Sequence, residues 1–372
     1  MNPDLIPALD AAGLPGPPWL FHVLLVFTFF LHMVFMNLTL GGTLLAAFAH
    51  FSSGGRRDDP RSTLAGRLMA VNNYGISLTI TTGVAPLLFI QVLYQQYFYS
   101  ATILIAPVWL GFLLLLTLGY YSAYLYKFRG APARGQGGGI WLVLSAVMFL
   151  AIAMVHVAVN LIHAQPYKWA DFASGAVGVL SDPTYVPRLL HFVLAGIAFS
   201  ALVICWWSVR QANAGVDVEN NTAVATYAWK WALWTTVLQV VDGFVLLLLL
   251  PRPVLIGFMQ GGAVTMVPLT LAILIAVGLL VMLAKVSNPV ESMGTVSGTL
   301  GAMVLAIAVM SITRHQIRII YLEPATRLFE AEVVPQWLNF GLWVVILVLG
   351  LATVAYMVKR VLTEPATGAD AA

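Results

Sequence analysis

Nine long apolar stretches, separated by short polar segments, run the length of the chain. A helix that crosses a membrane needs about 20 apolar residues, so each stretch predicts one span. The predicted spans cover residues 19–51, 67–97, 102–126, 139–164, 186–210, 223–250, 264–286, 293–322 and 335–360. No long linker divides them. The pattern therefore predicts an all-α, polytopic integral membrane protein in which residues 1–372 form a single membrane domain.

The composition agrees with this prediction and excludes an ordinary soluble protein. Of the 372 residues, 60% are hydrophobic and 9% are charged, whereas soluble domains carry about 25% charged residues. The net charge of +3 is small, and no basic run indicates binding to nucleic acid. The first residues lack a basic segment and contain Asp4 and Asp10, which argues against a cleaved signal peptide.

The distribution of Lys and Arg predicts the orientation of the spans, because cytoplasmic ends carry the excess of these residues. If the N-terminus is outside, 12 of the 18 Lys and Arg residues fall at inner ends. The six at outer ends are Lys168, Arg188, Arg252, Arg314, Arg318 and Arg327. The bias predicts that the N-terminus lies outside and the C-terminus inside.

Six of the seven histidines fall in the half of the membrane that this threading places outside, and only His50 falls in the other half. Ionisable residues at membrane depth are costly and usually functional, so several imidazoles gathered there suggest a metal or haem site. Cys205 is the one cysteine and no CxxCH motif is present, so any haem is held non-covalently. The six candidate residues are His22, His32, His156, His163, His191 and His315.

The fourth span holds the clearest local pattern, with His156, Asn160 and His163 along one stripe of a helix. The two histidines are about 10 Å apart along the axis, so one haem cannot use both as its ligands. Two stacked cofactors could use one each. The alternative is that either histidine hydrogen-bonds to neighbours or faces interfacial water.

Two other spans combine histidine with arginine. Arg188 precedes His191 by three residues, which suits an axial haem ligand beside a propionate partner; snorkelling by Arg188 is the alternative. In the eighth span, Arg314 and Arg318 flank His315 and need anions at that depth. Haem propionates would serve, as would Glu323 and Glu330.

Polar residues in two further spans have competing interpretations. Asp242 lies in an otherwise apolar stretch and is predicted either to pair with an arginine or to pass protons. Asn72, Asn73 and the run Thr79–Gly83, followed by Pro86, predict close helix packing and a kink in the second span. A cofactor role for that run is not favoured.

Four segments occur in an order that matches a known family. They are His32-Met-Val-Phe-Met-Asn-Leu-Thr-Leu-Gly41, Asn73-Tyr-Gly-Ile-Ser-Leu-Thr-Ile-Thr-Thr-Gly83, Val159-Asn-Leu-Ile-His-Ala-Gln-Pro166, and Arg188-Leu-Leu-His191 followed by Ala195-Gly196. They resemble the first, second, fourth and fifth helices of subunit I of the cytochrome bd-type quinol oxidases. In that family a haem-ligating histidine precedes the Leu-Thr-Leu-Gly run, and another haem ligand lies in the fifth helix. The resemblance implies nine spans and haem ligation by His32 and His191.

The chain also departs from that family. The family's second-helix glutamate, which serves the oxygen-reducing haem pair, is replaced here by Leu87. The long quinol-binding loop is reduced to Pro251–Gly262, and the Gly-Arg-Gly-Arg-Gln-Pro-Trp signature is absent. The seventh-helix methionine ligand is matched only by the candidates Met266 and Met259. These departures predict a retained scaffold without the usual oxygen chemistry and quinol site.

The sequence therefore predicts a subunit that binds at least two b-type haems and transfers electrons between membrane quinol and a periplasmic redox partner, such as a c-type cytochrome. It would belong to a hetero-oligomeric complex in the cytoplasmic membrane of a bacterium. Predicted axial ligands are His32 and His191, then His156, His163, His22 and His315. Predicted supporting residues are Arg188, Arg314, Arg318 and Met266 for the cofactor, and Asp242 and Glu323 for protons.

Three alternatives remain open from the sequence. The chain could be a divergent terminal oxidase, against which the missing glutamate argues. It could be a haem-free anchor that binds quinone and receives electrons from an attached subunit. It could also be a proton-coupled transporter, although no internal repeat typical of transporters is visible.

Overall fold

The computed structural model of the protein describes residues 13–54, 58–130, 138–172, 176–326 and 332–363, together with Pro7 and Arg56. Every named element in this part of the chain is a helix. Nine of these helices are long and apolar enough to cross a membrane. They are α1 (Pro18–Ser52), α2 (Pro60–Leu104), α3 (Ala106–Leu125), α4 (Gly139–Ala164), α7 (Tyr185–Asn213), α8 (Val218–Leu249), α10 (Ala263–Lys285), α11 (Met293–Thr326) and α12 (Trp337–Thr363).

Three short helices lie between the spans. The connection after α4 contains α5 (Trp169–Phe172) and α6 (Ala176–Leu180), and α9 (Arg252–Gln260) joins α8 to α10. All three lie on the side of the bundle where α1 begins, which we call the N-terminal face. The opposite side is the C-terminal face.

The predicted spans agree with the observed helices except around the end of α2. The sequence prediction ended the second span at residue 97 and began the third at residue 102, but α2 continues to Leu104 and the break falls at Ile105. The backbone of Ile105 is not helical (φ −122°, ψ 35°), and Pro107 lies in the first turn of α3. Proline at that position favours a helix start, so the break lies just before Pro107.

The bend in α2 lies further along the helix than the proline suggests. The non-helical dihedral angles occur at Tyr94 (φ −135°, ψ 32°), eight residues after Pro86. The break turns the final part of α2 across the N-terminal face, where Tyr94 and Tyr97 are both buried.

The crossing of α1 and α7 is a contact of backbone on backbone. A Cβ atom added to Gly41 would overlap the backbone of Gly196, so no side chain fits between the two helices at this point. Small residues permit such approaches between helices in a membrane. The hydroxyl of Ser200 donates to the carbonyl of Asn37 (3.1 Å) beside the crossing. The crossing fixes the relative height of α1 and α7.

Two large apolar cores fill most of the bundle, one toward each face, and a third, small cluster joins Val254 and Phe258 of α9 to Tyr321 of α11. The core toward the C-terminal face includes Leu45, Leu64 and Leu202, and the core toward the N-terminal face includes Leu25 and Leu161. Between them α1, α4, α7 and α11 each contribute polar residues. This polar layer consists of His32, His156, His191 and Arg314.

Replacing Gly41 with alanine should prevent correct packing of α1 on α7. The added methyl group meets backbone rather than a movable side chain, so the cost should exceed the ~1–3 kcal/mol typical of overpacking. The measurement is the yield and thermal unfolding of purified protein in detergent. Gly278→Ala is the control because an added Cβ there has open space, and equal behaviour of the two variants would contradict the crossing.

Candidate functional site

His32 is held between α1 and α2. Its Nδ1 lies 3.0 Å from the carbonyl oxygen of Thr79. One turn later, a Cβ on Gly83 would lie 2.9 Å from the imidazole ring, so α2 lies directly against it. The Thr79–Gly83 run, for which the sequence predicted only packing and a kink, is therefore the segment that orients His32.

His191 is held in the same manner between α7 and α8. Its Nδ1 lies 3.3 Å from Oδ2 of Asp242, and neither atom has a hydrogen-bond partner among the described residues. The adjacent residue is Gly243, where an added Cβ would lie 3.2 Å from Cε1 of His191. Asp242 thus faces a histidine, and no ion pair with an arginine is found for it among the described residues.

His156 is oriented by its own helix. Its Nδ1 lies 2.9 Å from the carbonyl of Ile152, one turn earlier in α4. The rings of Trp109 and Phe112 approach its ring edge-on, with centroids 5.6 and 5.4 Å away. The side chain is nevertheless exposed. A polar imidazole that faces lipid at membrane depth costs free energy, so a bound group that covers it would be stabilising.

In each of these three histidines Nδ1 faces an oxygen atom. In His32 and His156, Nδ1 is within hydrogen-bond distance of a backbone carbonyl, which can only accept, so the tautomer that carries its proton on Nδ1 is favoured. In His191, Nδ1 lies beside the carboxylate of Asp242 without a hydrogen bond. With the proton on Nδ1, Nε2 keeps its lone pair, and in all three it has no described hydrogen-bond partner. Metal-bound histidines commonly use this arrangement, with the second nitrogen donating to a carbonyl or carboxylate.

A second group of residues lies at the N-terminal face. Nδ1 of His22 is 3.0 Å from Nε2 of His315, and Nη1 of Arg318 is 3.3 Å from Nδ1 of His315. The ring of Tyr94 lies 6.1 Å from that of His22 and 5.5 Å from that of His163. Nε2 of His163 is buried without a hydrogen-bond partner.

Two arginines of α11 lie in or beside the polar layer, Arg318 buried and Arg314 half-buried. Arg314 lies over the ring of Phe29 at 4.3 Å, and Arg318 lies near the ring of Tyr94 at 5.8 Å. Neither is in any ion pair found between described residues. That Glu323 neutralises them stays a prediction, and Glu330 lies outside the described residues.

The remaining predicted residues are spread over the bundle. Glu323 is exposed near the end of α11, and Met266 is exposed at the start of α10. Arg188 donates from Nε to Oγ1 of Thr184 (3.2 Å) and lies 5.8 Å from the ring of Tyr321. His50 lies toward the C-terminal face, 3.2 Å from the Tyr126 hydroxyl, as the threading predicts.

The described histidines do not converge on one multi-ligand metal centre. No group of three or more His, Cys, Asp or Glu side chains within the described ranges is arranged to hold a metal ion. The sequence expectation of a shared metal site is therefore not supported in that form. A haem is a different case, because its iron takes only one or two ligands from protein.

The loop before α7 is held by a buried carboxylate, Asp182. It accepts hydrogen bonds from Nζ of Lys168 (2.9 Å) and from the amide and hydroxyl of Thr184 (2.9 and 2.7 Å). Burial alone would raise the pKa of Asp182, but these hydrogen bonds outweigh it and hold the pKa below its usual value. Asp182 thereby fixes the start of α7 and, with it, the height of Arg188 and His191.

Sequence reasoning missed the residues that orient the histidines. They are Thr79, Gly83, Gly243, Asp182 and Tyr94. The available signals were the Thr-Thr-Gly run in α2 and the glycine directly after Asp242. Neither signal indicates which histidine the glycine contacts, because that depends on how the helices pair.

Neither a protein-family model nor a curated protein sequence matches this chain. Among solved structures, its fold is similar to that of a chain in the structure of bd oxidase from Geobacillus thermodenitrificans. The TM-score is 0.74 and the sequence identity 12%, and the match covers 95% of this chain and 100% of that chain. The likeness confirms the fold that the resemblance implies. This chain is thus an all-α, multi-pass membrane protein with the fold of a bd oxidase chain.

Replacing Asp182 with asparagine should destabilise the protein in a pH-dependent way. Loss of the charge-assisted hydrogen bonds should cost about 1–3 kcal/mol near neutral pH. Because folding lowers the pKa of Asp182, its contribution is full above the ordinary pKa of about 3.9 and is lost as the pH falls through the lower, folded value.

The measurement is chemical unfolding of the wild type and Asp182→Asn between pH 3 and pH 7. The difference should be constant above about pH 5 and should shrink below about pH 4. Asp58→Asn is the control because Asp58 is exposed. A difference that persists undiminished at the lowest pH would show that the carboxylate charge is not the stabilising feature.

Proposed function

We propose that the chain is a b-type haem membrane subunit that transfers electrons between membrane quinol and a redox partner on its N-terminal face. The observation that carries the proposal is the shared geometry of His32, His156 and His191. Each has Nδ1 against an oxygen acceptor and Nε2 without a described partner. The three imidazoles share no metal centre among the described residues. Each would offer its Nε2 to a separate haem iron.

The residues of the polar layer fit a haem on two further grounds. Gly83 and Gly243 let α2 and α8 pack against the Nδ1 and Cε1 edges of the His32 and His191 rings, which holds each ring with Nε2 directed away from the contact. The arginines meet the second need, since a guanidinium cannot lose its proton in a protein and a buried one requires an anion. Arg314, Arg318 and Arg188 would hold propionate groups. When bound, the haem iron would supply the one-electron redox chemistry.

The geometry changes the order of the predicted ligands. His156 joins His32 and His191 in the first group because its Nδ1 is occupied by a backbone carbonyl. His163 remains a candidate, since its Nε2 is buried and lacks a partner. His22 and His315 use a nitrogen each on one another, which suits movement of a proton better than ligation. Met266 is exposed and is not retained.

The finer parts of the proposal concern orientation and partners. The excess of Lys and Arg at the C-terminal face supports placing the N-terminal face outside the cytoplasmic membrane of a bacterium. The electron acceptor would then be periplasmic, such as a c-type cytochrome within a hetero-oligomeric complex. Asp242, in contact with His191, is the proposed proton acceptor in the membrane; Glu323 would act nearer the surface.

A second candidate function is quinol-dependent reduction of oxygen, which the likeness to a bd oxidase chain favours. The composition of α2 argues against it. From Pro60 to Leu104 this helix contains no Asp or Glu. Leu87 lies where the family that the sequence resembles has its glutamate. We therefore place oxygen reduction second.

Replacing His32, His156 or His191 should each cause loss of haem. His32→Ala, His156→Ala and His191→Ala should lower the haem-to-protein ratio or alter the reduced-minus-oxidised visible spectrum. His50→Ala should do neither, because His50 lies toward the C-terminal face, and the Tyr126 hydroxyl that faces its Nδ1 can donate as well as accept and so does not fix the proton on Nδ1. Haem extraction gives the number per chain, expected to be at least two. The proposal fails if protein expressed with adequate haem has no Soret band, or if His50→Ala loses as much haem as the others.

Electron transfer should run from quinol to the protein with little oxygen uptake. A reduced short-chain quinol is added to purified protein while haem absorbance and oxygen concentration are followed together. We expect haem reduction without sustained oxygen consumption. Rapid, cyanide-sensitive oxygen consumption would favour the second function, and no reduction by any quinol would favour electron entry from a protein partner.

A further inference from the structure

The side chain of Arg314 on α11 lies between two other spans of the bundle. Its guanidinium carbon is 4.3 Å from the ring centroid of Phe29 on α1 and 6.0 Å from that of Phe192 on α7. Both separations fall within the range of cation–π interactions, which extends to about 6 Å. The side chain is half-buried, so α1, α7 and α11 meet around one guanidinium group in the polar layer.

The two aromatic rings hold this guanidinium without cancelling its charge. A carboxylate in contact with a cation neutralises it, as Asp182 does for Lys168. An aromatic ring instead attracts a cation through its quadrupole and has no net charge. No carboxylate forms an ion pair with Arg314 among the described residues, and Asp242 faces His191 instead. Arg314 therefore keeps its full positive charge at membrane depth.

The rings also place this charge close to two of the histidines. Phe29 precedes His32 by three residues in α1, which is about 4.5 Å along the helix axis. Phe192 directly follows His191 in α7. The guanidinium of Arg314 thus lies within about one helical turn of the level of each histidine. One positive charge in this position acts on a group bound at either of them.

We propose that Arg314 raises the midpoint potentials of both haems, at His32 and at His191, and that Phe29 is the positioning residue that holds its guanidinium between them. This inference rests on the proposed function and names the residues that set the electron affinity of its site. A haem gains one negative charge on reduction, so a fixed positive charge nearby stabilises the reduced form, most strongly where water is excluded. The chain would thereby favour acceptance of electrons from quinol.

The test is a redox titration of the purified, haem-loaded protein, in which the visible spectra of His32→Ala and His191→Ala assign each midpoint potential to its histidine. Arg314→Gln removes the charge and should lower both potentials. Arg314→Lys keeps the charge without the planar guanidinium and should lower them less. A fall in only one of the two potentials, or in neither, would overturn the shared role of Arg314.

Variants of Phe29 test the positioning role. Phe29→Leu removes the ring and should lower both potentials, because the guanidinium is no longer held between α1 and α7. Phe29→Tyr keeps an aromatic ring and should give potentials close to those of the wild type. Phe27→Leu is the matched control, since Phe27 is on the same helix and exposed, and its potentials should be unchanged. Unchanged potentials in Phe29→Leu would contradict the assignment.

A double-mutant cycle separates positioning from packing. Phe29 also packs against the apolar core toward the C-terminal face, so its loss has a packing effect that does not depend on Arg314. If Phe29 acts through Arg314, Phe29→Leu should have little further effect on the potentials in the Arg314→Gln background. An equal fall in both backgrounds would show that Phe29 acts by packing and would overturn its assignment.

The haem content of the same samples distinguishes this inference from the proposed function. Wild-type protein without haem, after expression with adequate haem, would contradict the proposed function and the inference with it. Full haem content with potentials that do not respond to the Arg314 and Phe29 variants would support the haem function and contradict the inference alone. Full haem content with both potentials lowered would support both.

Discussion

The backbone contact between Gly41 and Gly196 is the constraint on which the rest of the bundle depends. No side chain fits between α1 and α7 at this point, so neither helix can slide or rotate without separating. His32 lies nine residues before Gly41, and His191 five residues before Gly196. At 1.5 Å per residue the two histidines are about 13 and 8 Å from the crossing, on the same side.

The polar layer separates the two large apolar cores of the bundle. Imidazoles and buried guanidinium groups at membrane depth are costly, and apolar residues there would stabilise the helices more simply. Instead, Arg314 faces aromatic rings without an ion pair among the described residues, and His156 is exposed at the same level. An anionic, flat group in this layer would pair with the guanidinium of Arg314 and cover the imidazole of His156, which is the physical basis of the haem proposal.

The sequence predicted the nine spans and the half of the bundle in which the histidines lie, because both follow from the length and order of apolar runs. The sequence did not predict which residues contact each histidine. Which oxygen faces His32 or His191 depends on how α2 and α8 are rotated against their neighbours, and local periodicity does not carry that information. The same limit explains why Thr79–Gly83 was interpreted as packing alone and why Asp242 was not matched with His191.

The most direct test of this account is a cryo-electron microscopy map of the purified, haem-loaded protein at a resolution that separates the two imidazole nitrogens. The account predicts haem density at the Nε2 side of His32, His156 and His191, with Nδ1 still directed at Thr79, Ile152 and Asp242, and with arginines at the propionates. Density for lipid or water alone in the polar layer, or haem iron bound by none of these three histidines, would contradict it.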